Sequence, residues 1–106
     1  MNVIVVLCTF PNFESARQTG TALVEAQLAA CVNLCPAVES IYRWQGKVES
    51  AAEVLALIKT TRTGFEALER KLGELHPYEV PEIIALPAEM ISDAYARWVG
   101  DSVAGS

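Results

Sequence analysis

Three cysteines and a single histidine are the side chains of this 106-residue sequence that could hold a soft metal ion. Cys31 and Cys35 are four residues apart, and on a strand that spacing separates them by about 13 Å. Cys8 ends a predicted strand, where its thiol would reach the rim of the sheet. One thiolate and one imidazole, from His76, fall short of the four ligands of a tetrahedral zinc site. Buried cysteines that pack as small hydrophobes are therefore the stronger interpretation.

His76 would also have to serve any Ser-His-Asp or Cys-His pair, because it is the only histidine. It ends a predicted helix, where the dipole favours a cation and where a histidine more often simply caps the last turn. The sequence contains no phosphate-binding glycine loop, and no nucleophile–base pair is visible. We therefore predict that the protein is not an enzyme.

Two short segments concentrate groups that could contact a partner. Residues 76–82 (HPYEVPE) contain two prolines between a predicted helix and a predicted strand. A connection this stiff can present side chains at fixed positions, although a plain connector is an equally good interpretation. Residues 42–47 (YRWQGK) mix aromatic and cationic side chains on a predicted hairpin. Such a mixture can stack bases, but we favour an anchor in a protein interface.

Composition limits the partners. Eight basic against thirteen acidic residues give a net charge of −5, whereas nucleic-acid binding needs several Lys or Arg contacts to phosphate. No apolar run approaches the ~20 residues of a membrane span, and the first residues lack the positive region of a signal peptide. An odd number of cysteines favours reduced thiols. We expect a cytoplasmic protein that binds neither nucleic acid nor membranes.

Short β-branched or alternating runs predict the strands. Pro36 interrupts the second run, which indicates an edge position or a bulge, and Gly46 offers the turn of a hairpin. The almost continuously apolar run 53–61 predicts a strand that is covered on both faces. The strand runs are residues 3–9, 31–34, 38–45, 48–49, 53–61 and 82–86.

Stretches with apolar residues at helical spacing predict three helices. The first covers residues 13–30. Thr63 and Glu66 match a capping box at the start of the second, which ends before Pro77 because the residue preceding a proline avoids the α region. The remaining predicted end signals are Asn12 before the first helix, and Ser92 and Gly100 at the two ends of the last.

The predicted order is β-α-β-β-α-β followed by a short C-terminal helix. This is the α+β, ferredoxin-like arrangement, in which two helices cover one face of a four-stranded antiparallel sheet. We expect residues 1–106 to form a single domain with one core. Nothing in the chain covers the other face of the sheet, and 52% of the residues are hydrophobic. Self-association is the economical way to cover that face.

The sequence resembles the CutA family of divalent-cation tolerance proteins, in register from about Val3 to Val99. Its motifs Tyr-x-Trp-x-Gly-Lys (42–47) and His-Pro-Tyr-x-x-Pro-Glu (76–82) are the most specific. The resemblance implies a homotrimer of ferredoxin-like subunits, similar to the PII signalling proteins, whose sheets face one another across the threefold axis. The segments that carry the resemblance are residues 6–9, 28–33, 40–49, 57–60 and 76–83.

The resemblance also implies tolerance of copper and other divalent cations. Some members are described as binding copper through the thiol of a Leu-Cys-Thr motif and the histidine of the His-Pro-Tyr motif, which carry over as Cys8 and His76. Members proposed to bind copper have a second histidine directly before that motif, where this sequence has Leu75. One of three proposed ligands is therefore missing, and we expect no tightly bound metal.

Two other functions stay open. A PII-like sensor would bind a small ligand in a cleft between subunits, where aromatic walls and a few convergent charges suit a small polar molecule. A structural trimeric anchor would bind partner proteins and no ligand. The residues that could line the sensor's cleft are Tyr42, Trp44, Lys59, His76, Tyr78 and Glu82.

Overall fold

The computed structural model describes residues 2–105, so Met1 and Ser106 of the predicted domain lie outside the described residues. Its order of elements confirms the predicted α+β, ferredoxin-like fold with an additional C-terminal helix. The strands are β1 (Val3–Phe10), β2 (Cys31–Trp44), β3 (Lys47–Thr61) and β4 (Ile84–Pro87). The helices are α1 (Phe13–Glu25), α2 (Phe65–Leu75) and α3 (Asp93–Ser102).

All four strands pair antiparallel in one sheet, in the order β2-β3-β1-β4. β2 is therefore an edge strand, and its register with β3 shifts between Cys35 and Val38. Pro36 lies in this irregularity, where the missing N–H removes no bond from the ladder. The bulge predicted at this proline is confirmed.

β2 and β3 extend well beyond the rest of the sheet. β1 pairs with β3 only from Val54 to Thr61, whereas the pairing of β2 with β3 continues as far as Trp44 and Lys47. Residues 38–53 thus form a two-stranded ribbon that no third strand of the described chain supports. The sequence predicted two separate strands over 48–61, but β3 is one strand of 15 residues.

The turn at the tip of the ribbon is formed by Gln45 and Gly46, whose φ angles are +50° and +81°. Two successive positive φ angles define the type I′ turn, whose twist matches that of the flanking strands. Glycine adopts such an angle without a steric cost. The predicted hairpin turn at Gly46 is confirmed.

The core lies between the sheet and the helices α1 and α2. Alternate residues of β1 point into it, as the period of two in a strand requires. Along β3 buried residues alternate with half-buried ones, so one face is covered within the single chain, and cover of the other face by a second copy stays a prediction. α1 approaches β2 closely at Gly20, where an added Cβ would lie 3.2 Å from Val32 Cγ1. The main contributors to the core are Ile4, Val6, Cys8, Phe10, Leu23, Ile58, Leu68 and Leu72.

Two of the three helix starts follow the predicted signals. The Asn12 side chain accepts a hydrogen bond from the Ser15 amide at 2.8 Å, and the Ser92 hydroxyl accepts one from the Tyr95 amide at 3.3 Å. Each side chain satisfies an amide that has no partner within its helix. Within residues 2–105, no helix is long and apolar enough to cross a membrane.

The start of α2 differs from the prediction. The capping box at Thr63 is wrong, because the N-cap is Gly64 and no side chain caps the helix. The hydroxyl of Thr61 instead accepts a hydrogen bond from the Gly64 amide at 3.2 Å. The chain thus turns into α2 at the end of β3, before Thr63 can act as a cap.

Two helix ends also differ. α1 stops at Glu25 rather than at residue 30, because Gln27 adopts a positive φ of 59° and reverses the chain. α3 runs through Gly100 to Ser102, so that glycine does not end the helix. The predicted end of α2 at His76 is confirmed, since His76 has an extended ψ of 138° before Pro77.

Candidate functional site

A cleft with a volume of about 770 Å³ opens between the ribbon and the loop that joins α2 to β4, residues 76–83. This volume falls in the range of small-molecule sites. One wall comes from the end of β2, and the other comes from the proline-containing loop. Within residues 2–105, the lining residues are Ser40, Ile41, Tyr42, Trp44, Glu53, Pro77, Tyr78, Glu79, Val80 and Glu82.

The structure brings together four of the six residues predicted for a cleft. His76 is buried, with 7% of its surface exposed, and it contacts the ring of the lining residue Tyr78. Within the single chain Lys59 lies outside this cleft, because it is six residues from Glu53 along β3, a distance of about 20 Å on a strand, and its predicted place in a cleft between subunits stays a prediction. Its ammonium group donates a hydrogen bond to Asn33. The four predicted residues that line the cleft are Tyr42, Trp44, Tyr78 and Glu82.

The imidazole of His76 holds the loop against β1. Its Nε2 lies 2.7 Å from the carbonyl oxygen of Thr9, and the amide of Tyr78 donates to its Nδ1 at 3.0 Å. Since a carbonyl oxygen only accepts and an amide only donates, these two bonds fix the neutral tautomer that carries its hydrogen on Nε2. Both nitrogens of the ring are therefore engaged within the protein.

The surroundings of His76 favour its neutral form. The ring stacks on Phe10 with 4.4 Å between centroids. Burial lowers the pKa of His76, against the smaller opposing effects of the Thr9 carbonyl and the Glu53 carboxylate. Protonation at Nδ1 would also break the hydrogen bond from the Tyr78 amide. His76 is thus a neutral structural group at physiological pH.

Tyr78 carries this network onward to β3. Its ring lies 4.8 Å from that of His76 between centroids, and its hydroxyl donates to Glu53 Oε2 at 2.6 Å. Burial and the Glu53 carboxylate raise the pKa of Tyr78, so the phenol keeps the proton that it donates. Thr9, His76, Tyr78 and Glu53 thereby form a continuous chain of contacts from β1 through the loop to β3.

Two carboxylates of the cleft are absent from the predicted set. Glu53 is the only charged residue in the run 51–58 (AAEVLALI), and a lone charge in an otherwise apolar run was the signal for it. Glu79 lies between Tyr78 and Val80 in the loop and carries no comparable signal. Both lie among the residues that line the cleft.

Cys8 is fully buried inside β1, with 0% of its surface exposed, so its predicted place at the rim of the sheet is wrong. The strand continues to Phe10, and Cys8 faces the core in phase with Val6. Burial raises the pKa of Cys8 to about 12, and the nearby carboxylates of Glu82 and Glu53 add to this effect. The thiol is therefore protonated at neutral pH, whereas a metal ligand must be a thiolate.

The single chain does not offer a site that fits a resident copper ion. Cys8 and His76 are neighbours, because the thiol lies 3.9 Å and the imidazole 2.7 Å from the same carbonyl oxygen, that of Thr9. The thiol retains its proton, and both imidazole nitrogens already have partners. Residues 2–105 contain no group of three or more His, Cys, Asp or Glu side chains that could hold a metal ion.

The lowered pKa of His76 predicts a specific pH dependence of stability. In the unfolded chain a histidine titrates near pH ~6.5, so below that pH the unfolded state binds the proton more readily than the folded state does. The stabilisation contributed by neutral His76 is complete above pH ~6.5 and is lost as the pH falls through the lower folded-state pKa. We expect urea unfolding at fixed protein concentration to show this loss between pH 7.5 and 5.

The matched variant is His76→Gln, which keeps a donor and an acceptor but has no proton to gain in this range. All other titrating groups are common to both proteins. The free energy of unfolding should therefore fall less for His76→Gln than for the wild type over the same pH interval. Equal falls in the two proteins would contradict a buried neutral His76.

Comparison with known proteins agrees with the motifs and the fold. Residues 4–102 match the family described as CutA1 divalent ion tolerance protein. The divalent-cation tolerance protein CutA of Thermus thermophilus is 49% identical over 98 residues, which cover 92% of this chain and 95% of that protein. The chloroplastic CutA protein of Arabidopsis thaliana is 44% identical over 93% of this chain, but this chain spans only 54% of its length.

A solved structure gives the same result. The crystal structure of CutA1 from Oryza sativa superposes with a TM-score of 0.96 at 40% identity, covering 100% of this chain and 97% of that one. The similarity therefore includes the long ribbon and the loop as well as the central sheet. On sequence and on structure, this chain belongs to the CutA1 family of divalent ion tolerance proteins.

Proposed function

We propose that this protein contributes to divalent-cation tolerance as a homotrimer that binds a small ligand in the cleft between the ribbon and the loop. The observation that carries the proposal is the cleft of about 770 Å³, whose walls combine aromatic rings with carboxylates. Its loop wall is anchored by His76, so the site is preorganised on that side. The names of the relatives support cation tolerance.

The ribbon is the first argument for assembly. An isolated two-stranded hairpin is marginally stable in water at best. Residues 38–53 form such a hairpin, and Ile41 and Val48 on it are 71% and 68% exposed. Covering these side chains with a second copy would contribute about 25 cal/mol for each Å² of apolar surface removed from water.

The bare face of the sheet is the second argument. Ile84 and Leu86 pair with Leu7 and Val5, and cross-strand partners share a face, opposite the face that carries Val6 into the core. Ile84 and Leu86 are 49% and 46% exposed. A threefold arrangement in which three such faces meet would bury them together.

The assembly predicts the behaviour of the ribbon in solution. At micromolar concentration, sedimentation should give three times the 11.5 kDa mass of one chain. Val48→Asp places a charge on the exposed ribbon and should shift the population toward smaller species. The matched control is Val24→Asp, which adds the same charge to a 41% exposed position of α1 and should leave the trimer intact. A well-folded wild-type monomer would overturn the proposal.

The cleft itself is tested by a thermal-shift screen of nucleotides, metabolites, organic cations and metal salts. A ligand that binds only the folded state raises the melting temperature, because it increases the free energy of unfolding. The increase is about 2.7 kcal/mol when the ligand concentration is a hundred times Kd. We expect at least one compound to stabilise the wild type and to stabilise Trp44→Leu clearly less. If no compound has this effect, the cleft is not the functional site.

Copper binding by Cys8 and His76 is the second candidate, and the contact that both make with the carbonyl oxygen of Thr9 favours it. It requires Cys8 to lose its proton and His76 to release the Tyr78 amide. Because both changes oppose binding, we expect titration with Cu(I) and Cu(II) to give the same affinity for the wild type, Cys8→Ser and His76→Gln. Weaker binding in both variants would establish the pair as ligands, whereas weaker binding in one would implicate that residue alone.

We also infer a non-catalytic protein of the cytoplasm that functions as one domain over residues 1–106. The relatives are named for cation tolerance rather than for a reaction. All three cysteines are free thiols, which suits a reducing compartment.

The structural trimeric anchor is the remaining alternative. Capture of a partner protein whose binding is unchanged by Trp44→Leu would favour it over a ligand-binding protein.

A further inference from the structure

Three of the ten described residues that line the cleft are aromatic. Tyr42, Trp44 and Tyr78 all line it, and Tyr42 and Trp44 are 41% and 53% exposed. The face of an aromatic ring carries partial negative charge and attracts cations. Trp44 pairs with Lys47 next to the type I′ turn, which places it at the end of the ribbon wall. The rings alone would suit any flat or apolar ligand. The charged residues of the cleft indicate which kind of ligand it favours.

The charged residues that line the cleft all carry the same sign. They are Glu53, Glu79 and Glu82, and within residues 2–105 no lysine or arginine lines it. Arg43 on the ribbon directs its guanidinium toward the carbonyl oxygen of Gly46, 3.4 Å away at the tip. A cleft lined by one sign of charge concentrates ligands of the opposite sign and repels those of its own sign.

The arrangement distinguishes an organic cation from a metal ion. Ca²⁺ and Mg²⁺ need several oxygen ligands within about 2.0–2.6 Å of one point. No three acidic, His or Cys side chains among residues 2–105 converge in that way. An ammonium or guanidinium group on a carbon skeleton is larger and more weakly hydrated, and it is attracted to aromatic faces and to separate carboxylates at once.

We propose that the cleft binds a small organic cation, with its ammonium or guanidinium group against the rings of Trp44 and Tyr42 and beside the carboxylates of Glu79 and Glu82. The proposal rests on the ligand-binding cleft proposed above and adds the chemical class of its ligand. Glu53 holds the Tyr78 hydroxyl and so positions the third ring. Anionic ligands, nucleotides among them, are disfavoured by the same three carboxylates.

The test compares two probes of the same shape. Choline carries a quaternary ammonium, and 3,3-dimethyl-1-butanol is its uncharged isostere. Calorimetric titration of the wild-type assembly at fixed ionic strength should show choline binding at least tenfold more tightly. Spermidine, ATP and MgCl₂ are the remaining probes. ATP and MgCl₂ should bind more weakly than the two organic cations, choline and spermidine.

Variants locate the binding. Trp44→Leu should weaken choline binding roughly two- to thirtyfold, the range expected for one cation–π contact, while Trp44→Phe should retain most of it. Glu82→Gln should weaken binding by at most about fivefold, as expected for one exposed charge pair. The matched controls are Trp98→Leu and Glu69→Gln, which remove an exposed tryptophan of α3 and a carboxylate of α2 outside the cleft. Both controls should bind choline as the wild type does.

The outcomes separate this inference from the proposed function. If ATP, MgCl₂ or the uncharged isostere binds in the cleft as tightly as choline, the cleft remains a ligand site but its assignment to organic cations is wrong. The same assignment is wrong if the two control variants lose as much affinity as the cleft variants. If no probe binds and the wider screen finds no ligand, both proposals fail. The comparison of choline with its isostere uses only the wild type, so it does not depend on any variant folding.

Discussion

The hydrogen bond between His76 and the carbonyl oxygen of Thr9 is the contact on which the cleft depends. It joins residues 67 positions apart in the sequence and lies in a buried place, where a carbonyl without a partner costs about 1–3 kcal/mol. The second nitrogen of the same ring receives the amide of Tyr78. One side chain therefore fixes both the end of β1 and the direction in which the loop leaves α2.

Histidine suits this position because it combines three properties in one rigid group. A neutral imidazole has a donor and an acceptor on different sides of the ring, and its faces are apolar enough to stack on Phe10. Asparagine and glutamine could donate and accept but would leave the ring of Phe10 without a stacking partner. Pro77 also contributes, because it keeps His76 out of the helical conformation. The loop that begins there brings Tyr78 to Glu53.

The fold could be predicted where local chemistry decides the structure. Asn12, Ser92, Pro36 and Gly46 each act within a few residues of their own position, and each was predicted correctly. Thr63 was not, because the N-cap is Gly64 and no side chain caps α2. The Thr61 hydroxyl instead accepts from the Gly64 amide, within the turn that joins β3 to α2.

The site was less predictable, because its residues come from distant parts of the chain. The motifs of the ribbon and loop identified Tyr42, Trp44, Tyr78 and Glu82, which the structure brings together. Lys59 does not line the cleft of the single chain, because the sequence pattern predicts a strand without showing which part of it borders the cleft; its place in a cleft between subunits stays a prediction. The burial of Cys8, by contrast, follows from the sequence pattern. Cys8 is two residues from Val6 and so shares its face of a strand, and β1 continues past Cys8 to Phe10.

The two walls of the cleft have different sources of order, and this difference links binding to assembly. The loop wall is fixed inside the chain by His76 and the Tyr78–Glu53 hydrogen bond. The ribbon wall belongs to a two-stranded segment that no third strand of residues 2–105 supports, so its order depends on what covers it. Under the function proposed above, a ligand that contacts both walls would favour the ordered ribbon, and contacts between copies would favour the same state. By the reciprocity of coupled equilibria, assembly would then raise the affinity of the cleft for its ligand by the same factor by which the ligand raises the affinity between copies.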